Sequence, residues 1–126
     1  AGIKRHQDQD SGVWYQVLDK GDQEGNYLEA SCSSMFVYML AKSLKNGYIA
    51  PSYQEVAEKG YEGILKEFIK ENEDGTISLT QVCGVAGLGG DPYREGTFDY
   101  YIHEVIRDND PKGVGPFIMA SLLMED

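Results

Sequence analysis

The fold is decided near the end of the chain, by the stretch Asn109-Asp110-Pro111-Lys112-Gly113-Val114-Gly115-Pro116-Phe117-Ile118-Met119-Ala120-Ser121. It is a glycine-containing loop that runs into an almost wholly apolar segment. Proline suits the first position of a helix, so the sequence predicts a helix that begins at Pro116 with Gly115 as its cap. Between residues 117 and 124 only Ser121 is polar. A helix without a polar face is expected to be buried on nearly all sides, in part by protein that this chain does not contain.

Composition and charge limit the class of protein and its partners. The chain has 126 residues, of which 41% are hydrophobic and 25% charged, as in an ordinary folded chain of one domain's length. The 11 Lys and Arg are scattered and are outnumbered by 21 Asp and Glu, giving a net charge of -10. Neither nucleic acid nor an anionic membrane is therefore expected as a partner, because both would be repelled electrostatically. The sequence leaves the compartment open between the cytoplasm and the periplasm of a bacterium.

No metal or organic cofactor is expected from the residue pattern. Cys32 and Cys83 are too few and too far apart for a disulfide framework or a zinc knuckle. His6 and His103 have no metal-ligand spacing with each other or with the cysteines. The glycine-rich stretch 87–90 does not have the spacing of a dinucleotide-binding fingerprint.

Two helices of different character are predicted in the middle of the chain. Residues 30–44 are apolar around most of the helix circumference, and Asn46-Gly47 supplies the stop, so this is an inner helix. Residues 53–68 have apolar positions at helical spacing and a charged opposite face. Ser52 and Glu55 have the spacing of a capping box at its start. The second helix is therefore an outer helix, exposed on one side.

Short strands are predicted on either side of these helices. Residues 13–18 have aromatic and β-branched content, and residues 76–82 are expected to pair with them after a turn at Asp74-Gly75. Residues 98–107 fit a strand or a helix equally. The order of inner, outer and inner helix, with a short β-hairpin, is typical of a mainly helical double-layered barrel. Composition alone does not exclude an α+β domain.

Four separated motifs, in the right order, resemble the C-terminal part of the unsaturated rhamnogalacturonyl hydrolases, which form glycoside hydrolase family 105. They are Gly12-Val13-Trp14-Tyr15-Gln16-Val17-Leu18-Asp19, Gly25-Asn26-Tyr27-Leu28-Glu29-Ala30-Ser31 with Ser33-Ser34-Met35-Phe36, Val85-Ala86-Gly87-Leu88-Gly89-Gly90 with Pro92-Tyr93-Arg94, and Lys112-Gly113-Val114-Gly115-Pro116-Phe117. The resemblance covers essentially the whole chain. It implies that residues 1–126 are the C-terminal segment of one six-hairpin (α/α)6 barrel domain, without an internal boundary.

The resemblance also implies a reaction. Family members release a 4,5-unsaturated galacturonyl residue from rhamnogalacturonan oligosaccharides. An aspartate protonates the double bond while water adds across it, and the resulting hemiketal opens, which differs from direct attack at the anomeric carbon. A twelve-helix fold needs well over ~200 residues at typical element lengths, so this chain corresponds to about its last quarter to third. The catalytic aspartate then belongs to the missing part of the barrel, and the isolated chain is expected to be inactive.

The resemblance places the loops that lead into inner helices, residues 26–34 and 108–115, beside the substrate cleft. We predict substrate contacts there for Ser31 and for Lys112, the best candidate to attract a uronate, with Arg94 as the second. Helix N-termini at this rim favour a sugar carboxylate. Trp14 is either a stacking platform for a sugar or, more often for a single Trp beside a strand, a packing anchor.

Two further alternatives stay open on the sequence. The chain is a fragment of a hydrolase whose partners are an oligosaccharide and the remainder of the barrel, or it is a non-catalytic carbohydrate-binding or interaction module. Two apolar helices favour the first, because a free-standing module would expose large apolar patches. Unsaturated glycosaminoglycan disaccharides are the nearest alternative substrate class.

Overall fold

The protein was analysed as a computed structural model, which describes residues 1–125. These residues form, in chain order, α1 (Gly2–Arg5), α2 (Ala30–Lys45), a 3-10 turn (Pro51–Tyr53), α3 (Gln54–Glu67), β1 (Ile69–Glu71), β2 (Ile77–Leu79), β3 (Val82–Cys83), α4 (Phe98–His103), β4 (Ile106–Arg107) and α5 (Pro111–Met124). The strands form two antiparallel pairs, β1 with β2 and β3 with β4. The prediction of a mainly helical chain with a short hairpin is confirmed.

Helices α2 and α5 lie side by side and run in the same direction. Their N-termini start from one short segment: the Ala30 N–H donates to the Gln81 carbonyl at 2.9 Å, and the Asn109 N–H, just before α5, donates to the Leu79 carbonyl at 2.8 Å. At the opposite end, the last turns of both helices line a single cavity. The two predicted inner helices are therefore parallel neighbours.

Helix α3 runs antiparallel to α2 and covers it from one side. Its buried positions recur at helical spacing, and Glu58, Glu62 and Lys66 on the opposite face are exposed. The amphipathic outer helix is thus confirmed. The predicted capping box is wrong, because no side chain caps α3; the helix continues from a 3-10 turn that has Pro51 at its first position.

The terminal helix begins five residues earlier than predicted, at Pro111. Asp110 has extended backbone angles and its carboxylate accepts the Lys112 N–H at 3.0 Å, which makes it the cap. Pro116 lies inside the helix, so the prediction of Gly115 and Pro116 as cap and first residue is wrong. Either Pro111 or Pro116 can occupy the first position of a helix, since proline has a suitable backbone angle there. The helix starts at Pro111 because the preceding Asp110 provides a side-chain cap.

The terminal helix is also less buried than its composition predicts. Gly113 and Ala120 are its fully buried residues, whereas Ile118 is half exposed and Leu122 is 70% exposed. The prediction of burial on nearly all sides assigned part of the cover to protein outside this chain, and within the described residues α5 is covered on one side. One face of α5 packs on α2, and an apolar face remains in contact with solvent.

The predicted strand at residues 13–18 is absent from the described chain, since Tyr15 makes only an isolated bridge with Leu28. Residues 77–79 pair instead with 69–71, so that the predicted partner strand closes a local hairpin. The turn is built by Gly75, which has a φ of +84° and donates its N–H to the Asn72 carbonyl at 3.0 Å. Residues 98–107 contain both a helix, α4, and a strand, β4.

The core lies between α2, α3, α5 and the segment around residue 14. Its buried apolar members come from all of these elements and are Val13, Trp14, Ala30, Val37, Leu40, Val56, Ala57, Tyr61, Ile64, Phe68, Leu79, Val82 and Ala120. Burial of this set is the main driving force for the arrangement of the helices.

Two helical glycines are expected to respond in opposite ways to alanine. A Cβ on Gly63 in α3 would overlap the carbonyl oxygen of Ser11 and lie 2.9 Å from Val13 Cγ1, whereas a Cβ on Gly115 in α5 would meet nothing within 4 Å. We expect Gly63→Ala to lower the free energy of unfolding by about 1–3 kcal/mol through overpacking. Gly115→Ala should raise it by up to about 1 kcal/mol through helix propensity. Urea unfolding of both variants measures the difference, and equal stability would contradict the packing at Gly63.

Candidate functional site

The candidate site lies at the end of the helix pair where α2 and α5 begin. Several loops that are distant in sequence are joined there by hydrogen bonds. Gln16 Nε2 donates to the Tyr101 carbonyl and contacts Cys83 Sγ, each at 3.3 Å. The Cys83 N–H in turn donates to the Glu29 carboxylate at 2.9 Å. The loop before α2, strand β3 and helix α4 therefore form one continuous rim.

Glu29 is the central polar residue of this rim, and it is only 1% exposed. Its carboxylate accepts three hydrogen bonds, from Ser31 Oγ at 2.7 Å, Cys32 N at 2.6 Å and Cys83 N at 2.9 Å. It thereby caps α2 and ties that helix to β3. The role of Glu29 was not predicted from the sequence. An acidic residue directly before a predicted helix was the available signal.

Ser31 is half-buried at the start of α2, within the rim. Its hydroxyl hydrogen is used in the bond to Glu29. A hydroxyl has one donor and two acceptor lone pairs, so Ser31 can still accept a hydrogen bond. The geometry therefore suits a ligand hydroxyl better than a ligand carboxylate at this position.

Lys112 lies in the first turn of α5 rather than in the loop that the sequence predicted. Its Nζ is 2.8 Å from Asp110 Oδ1, and its side chain is 47% exposed. Arg107 lies on the other side of the same carboxylate, with its guanidinium nitrogen 3.6 Å from Asp110 Oδ2. Two cations thus flank the buried carboxylate of Asp110. Together, Arg107, Asp110 and Lys112 carry a net positive charge at the N-terminus of α5.

The hydrogen bonds from Lys112 hold the pKa of Asp110 below its ordinary value of 3.8, with a smaller contribution from Arg107. Because the folded-state pKa is lowered, this stabilisation is complete above the unfolded-state value and is lost as the pH falls through the folded-state value. We expect the stability difference between the parent and Asp110→Asn to be largest near neutral pH and to shrink below pH ~4. Unfolding in urea across this pH range measures it.

The control for this prediction is Lys112→Ala, which removes the main cause of the shift. The pKa of Asp110, followed by carbon NMR of its carboxyl, should move upward in that variant. An Asp110 that titrates identically with and without Lys112 would contradict the assignment.

Trp14 is fully buried, so no face of the indole is free to stack on a sugar. Its Nε1 donates to the Ile3 carbonyl at 2.8 Å, and its ring meets Phe36 edge-on with centroids 5.4 Å apart. The stacking role predicted for Trp14 is therefore wrong in this structure. The alternative role of packing anchor describes it.

Arg94 holds its own loop together. Its Nε donates to the Gly89 carbonyl at 2.9 Å, and the backbones of the two residues exchange hydrogen bonds in both directions. Gly89 and Gly90 have positive φ angles, which lets the loop fold back under the guanidinium. Arg94 is half-buried and acts in this structure as a clamp.

The fold of this chain recurs in known glycoside hydrolases. A structure of a family 105 glycoside hydrolase from C. acetobutylicum ATCC 824 is 53% identical and superposes with a TM-score of 0.94, over 98% of this chain and 34% of that protein. The family model of Glycosyl Hydrolase Family 88 matches residues 1–126. The chain belongs to this glycosyl hydrolase family.

The chain is also similar to a further solved structure and to a curated protein. The structure of a possible family 105 member from Salmonella enterica serovar Paratyphi A is 29% identical, with a TM-score of 0.74 over 94% of this chain and 27% of that one. A 24.9 kDa protein in the picA locus of Rhizobium radiobacter is 40% identical over 126 residues, or 95% of this chain and 54% of that protein. The chain thus spans about half the length of the curated relatives and about a quarter to a third of the solved ones.

The described residues contain two free cysteines, Cys32 and Cys83. Within residues 1–125, no group of three or more His, Cys, Asp or Glu side chains is placed to hold a metal ion. Burial, with Glu29 adding to it, raises the pKa of the Cys32 thiol well above its ordinary value. Cys32 is therefore a poor thiolate nucleophile.

Among residues 1–125, no helix has the length and apolarity needed to cross a bilayer.

Proposed function

We propose that this chain is the C-terminal part of an unsaturated rhamnogalacturonyl hydrolase, an enzyme that releases 4,5-unsaturated galacturonate from rhamnogalacturonan oligosaccharides by hydrating the double bond. The observation that carries the proposal is the match to a family 105 hydrolase over nearly the whole chain, at 53% identity. Fold alone would not imply function, but four motifs in register at the loop end of the helices make the likeness specific.

The uncovered apolar faces support a larger helical barrel. Met35 and Met39 on α2, and Ile118 and Leu122 on α5, are exposed. Parallel inner helices of an (α/α)6 barrel need further inner helices at both edges. We propose that the rest of the barrel covers these residues. A free-standing carbohydrate-binding module, the alternative, would keep them in water, where soluble monomers rarely carry such patches.

The proposed contribution of this chain is to bind rather than to catalyse. The Lys112 side chain, which is 47% exposed at the positive N-terminus of α5, attracts the uronate carboxylate. Ser31, fixed by Glu29, accepts a hydrogen bond from a sugar hydroxyl. Arg94 supports the substrate cleft by fixing the shape of its loop. The catalytic aspartate is assigned to the part of the barrel outside residues 1–126, and no cofactor is required.

The test is a chimera in which the last third of the C. acetobutylicum hydrolase is replaced by this chain. We expect turnover of an unsaturated rhamnogalacturonan disaccharide by the chimera, followed by loss of the ultraviolet absorbance of the double bond, and none by the 126-residue chain alone. In the chimera, Lys112→Ala should raise KM with a smaller effect on kcat. Lys45→Ala, at the opposite end of α2, is the matched control and should change neither.

The outcomes separate the alternatives. Turnover by the purified chain alone would contradict the assignment of the catalytic group to the rest of the barrel. If the chimera hydrolyses an unsaturated glycosaminoglycan disaccharide faster than the rhamnogalacturonan disaccharide, the substrate class would be glycosaminoglycan instead. A folded but inactive chimera would favour the binding module. The denatured mass of the source protein, compared with 14.0 kDa, independently shows whether the chain is part of a longer polypeptide.

A further inference from the structure

Two non-glycine residues within residues 1–125, Gln81 and Asn109, have positive φ angles, of +59° and +57°. Both lie where α2 and α5 begin. The Gln81 carbonyl accepts the Ala30 N–H, and Asn109 directly precedes Asp110, the cap of α5. A positive φ is uncommon for a residue with a side chain, and such strain is found most often at functional sites. The strain is therefore concentrated where residues 78–83 meet Asn109.

Asn109 is held to the end of β2 by three hydrogen bonds. Its N–H donates to the Leu79 carbonyl at 2.8 Å, and its Oδ1 accepts the Leu79 N–H at 2.9 Å. Its Nδ2 donates at 3.1 Å to Ser78 Oγ, which also accepts a hydrogen bond from Asn72 Nδ2 at 3.0 Å. Asn109 is exposed, yet both polar atoms of its side chain are engaged. These bonds fix the point at which the chain enters α5.

The start of α5 is built outward from Asn109. The next residue, Asp110, accepts the Lys112 N–H at 3.0 Å and lies 2.8 Å from Lys112 Nζ through the same oxygen. The Asp110 side chain is only 5% exposed, so the ammonium is tied to a carboxylate that is itself packed in place. The location of the Lys112 ammonium therefore depends on where Asn109 is anchored.

The same segment also anchors the start of α2. The Gln81 carbonyl accepts the N–H of Ala30 at 2.9 Å, and Ser31 is the next residue. Ser31 and Lys112 lie on different helices, but the start of each helix is bonded to residues 78–83. Their separation is thus set by this segment as well as by the packing of the two helices.

We propose that Asn109 is a positioning residue for substrate binding, which fixes the Lys112 ammonium relative to Ser31 by anchoring the start of α5 to β2. The inference rests on the function proposed above, in which Lys112 attracts a uronate and Ser31 accepts a hydrogen bond from a sugar hydroxyl. Two groups that bind one ligand gain affinity from a fixed separation, because less ordering is needed when the ligand binds. Asn109 therefore acts on affinity through Lys112 and not by its own contact with substrate.

The experiment measures KM and kcat of the chimera for the unsaturated rhamnogalacturonan disaccharide. Asn109→Gly removes both side-chain bonds and still permits the left-handed backbone, so it isolates the anchor. We expect KM to rise about fivefold, a factor within the range for residues of one hydrogen-bond network, with little change in kcat. Ser78→Ala leaves Asn109 in place but removes the acceptor of its Nδ2, and should raise KM by a smaller factor.

A double-mutant cycle with Lys112→Ala tests whether Asn109 acts through Lys112. If it does, Asn109→Gly has no further effect on KM once the ammonium is gone. A general loosening of the fold would instead add its effect to that of Lys112→Ala. The matched control is Tyr61→Phe, which removes the Tyr61 hydrogen bond to Glu125 at the opposite end of α5. It should lower the urea midpoint of the chimera and leave KM unchanged.

Three results would overturn the proposal. They are an unchanged KM in Asn109→Gly, additive effects of Asn109→Gly and Lys112→Ala, and a rise in KM for Tyr61→Phe as large as that for Asn109→Gly. Each of them leaves the proposed function standing, because the parent chimera is active in all three cases. An inactive parent chimera would instead contradict the function, and the positioning role with it. Circular dichroism establishes that each variant is folded, and Ser78→Ala replaces Asn109→Gly in the cycle if the glycine variant does not fold.

Discussion

Trp14→Ala is expected to lower the free energy of unfolding by about 3–5 kcal/mol, the range for removing a large aromatic side chain from a core. The reason is that Trp14 is fully buried and fills the space between α1, α2 and α3. Its ring lies against Phe36, and a Cβ on Gly60 would lie only 3.1 Å from it. The indole bond to the Ile3 carbonyl is lost as well. Urea unfolding, followed by circular dichroism, measures the change.

The controls for Trp14 separate volume from hydrogen bonding. Trp14→Phe retains part of the ring and loses the indole N–H, so its loss should be clearly smaller than that of Trp14→Ala. Tyr48→Ala removes an exposed ring and should stay within about 0.5 kcal/mol of the parent. A Trp14→Ala variant as stable as Tyr48→Ala would show that Trp14 is not a packing anchor.

Glu29→Ala is the second substitution with a large expected effect, a loss of about 3 kcal/mol. The alanine removes the cap of α2 and leaves the buried N–H groups of Cys32 and Cys83 without an acceptor. An unpaired buried donor costs the full desolvation penalty of the group, and here there are two. Urea midpoints again provide the measurement, and amide exchange at Cys83 should accelerate.

Two comparisons make the Glu29 prediction specific. Glu29→Gln keeps a side-chain oxygen but loses the charge, so its stability should lie between those of the parent and the alanine variant. Glu62→Ala removes a carboxylate from the exposed face of α3 and should change stability by less than about 0.5 kcal/mol. If Glu29→Ala and Glu62→Ala unfold at the same urea concentration, the carboxylate of Glu29 does not stabilise the rim.

Helix α3 could be predicted because the residues that define it are neighbours in the sequence. Apolar residues at helical spacing define its buried face, and that face is the one that packs on α2. The start of α5 could not be predicted in the same way, because both Pro111 and Pro116 can occupy the first position of a helix. The cap that the Asp110 side chain forms places the start at Pro111. A strand at residues 13–18 was predicted from local propensity. In the structure, the Trp14 backbone bonds instead to Ser33 Oγ and to the Glu29 N–H.

In the candidate site, too, features set by neighbouring residues could be predicted, and features set by residues far apart in the sequence could not. The resemblance indicated the segments around Ser31 and Lys112, and both lie at the N-terminal end of the helix pair. Glu29 was missed because its role depends on Cys83, a partner far along the chain. The two alternatives for Trp14 could not be separated from the sequence, because burial is a property of the whole fold that residue type alone does not reveal.

The parallel packing of α2 against α5 has a consequence for the order of folding. Helix α3 and all four strands of the described chain lie between these two helices in the sequence. Closing so long a loop costs entropy before any contact is made, whereas the adjacent α2 and α3 meet after a short connection. The α2–α3 hairpin is therefore expected to form first and α5 to dock last. During synthesis earlier elements leave the ribosome before later ones, so the face of α2 that α5 covers stays bare until residues 111–124 emerge. A chain that stops before residue 111 would keep that face exposed permanently, as a surface for aggregation.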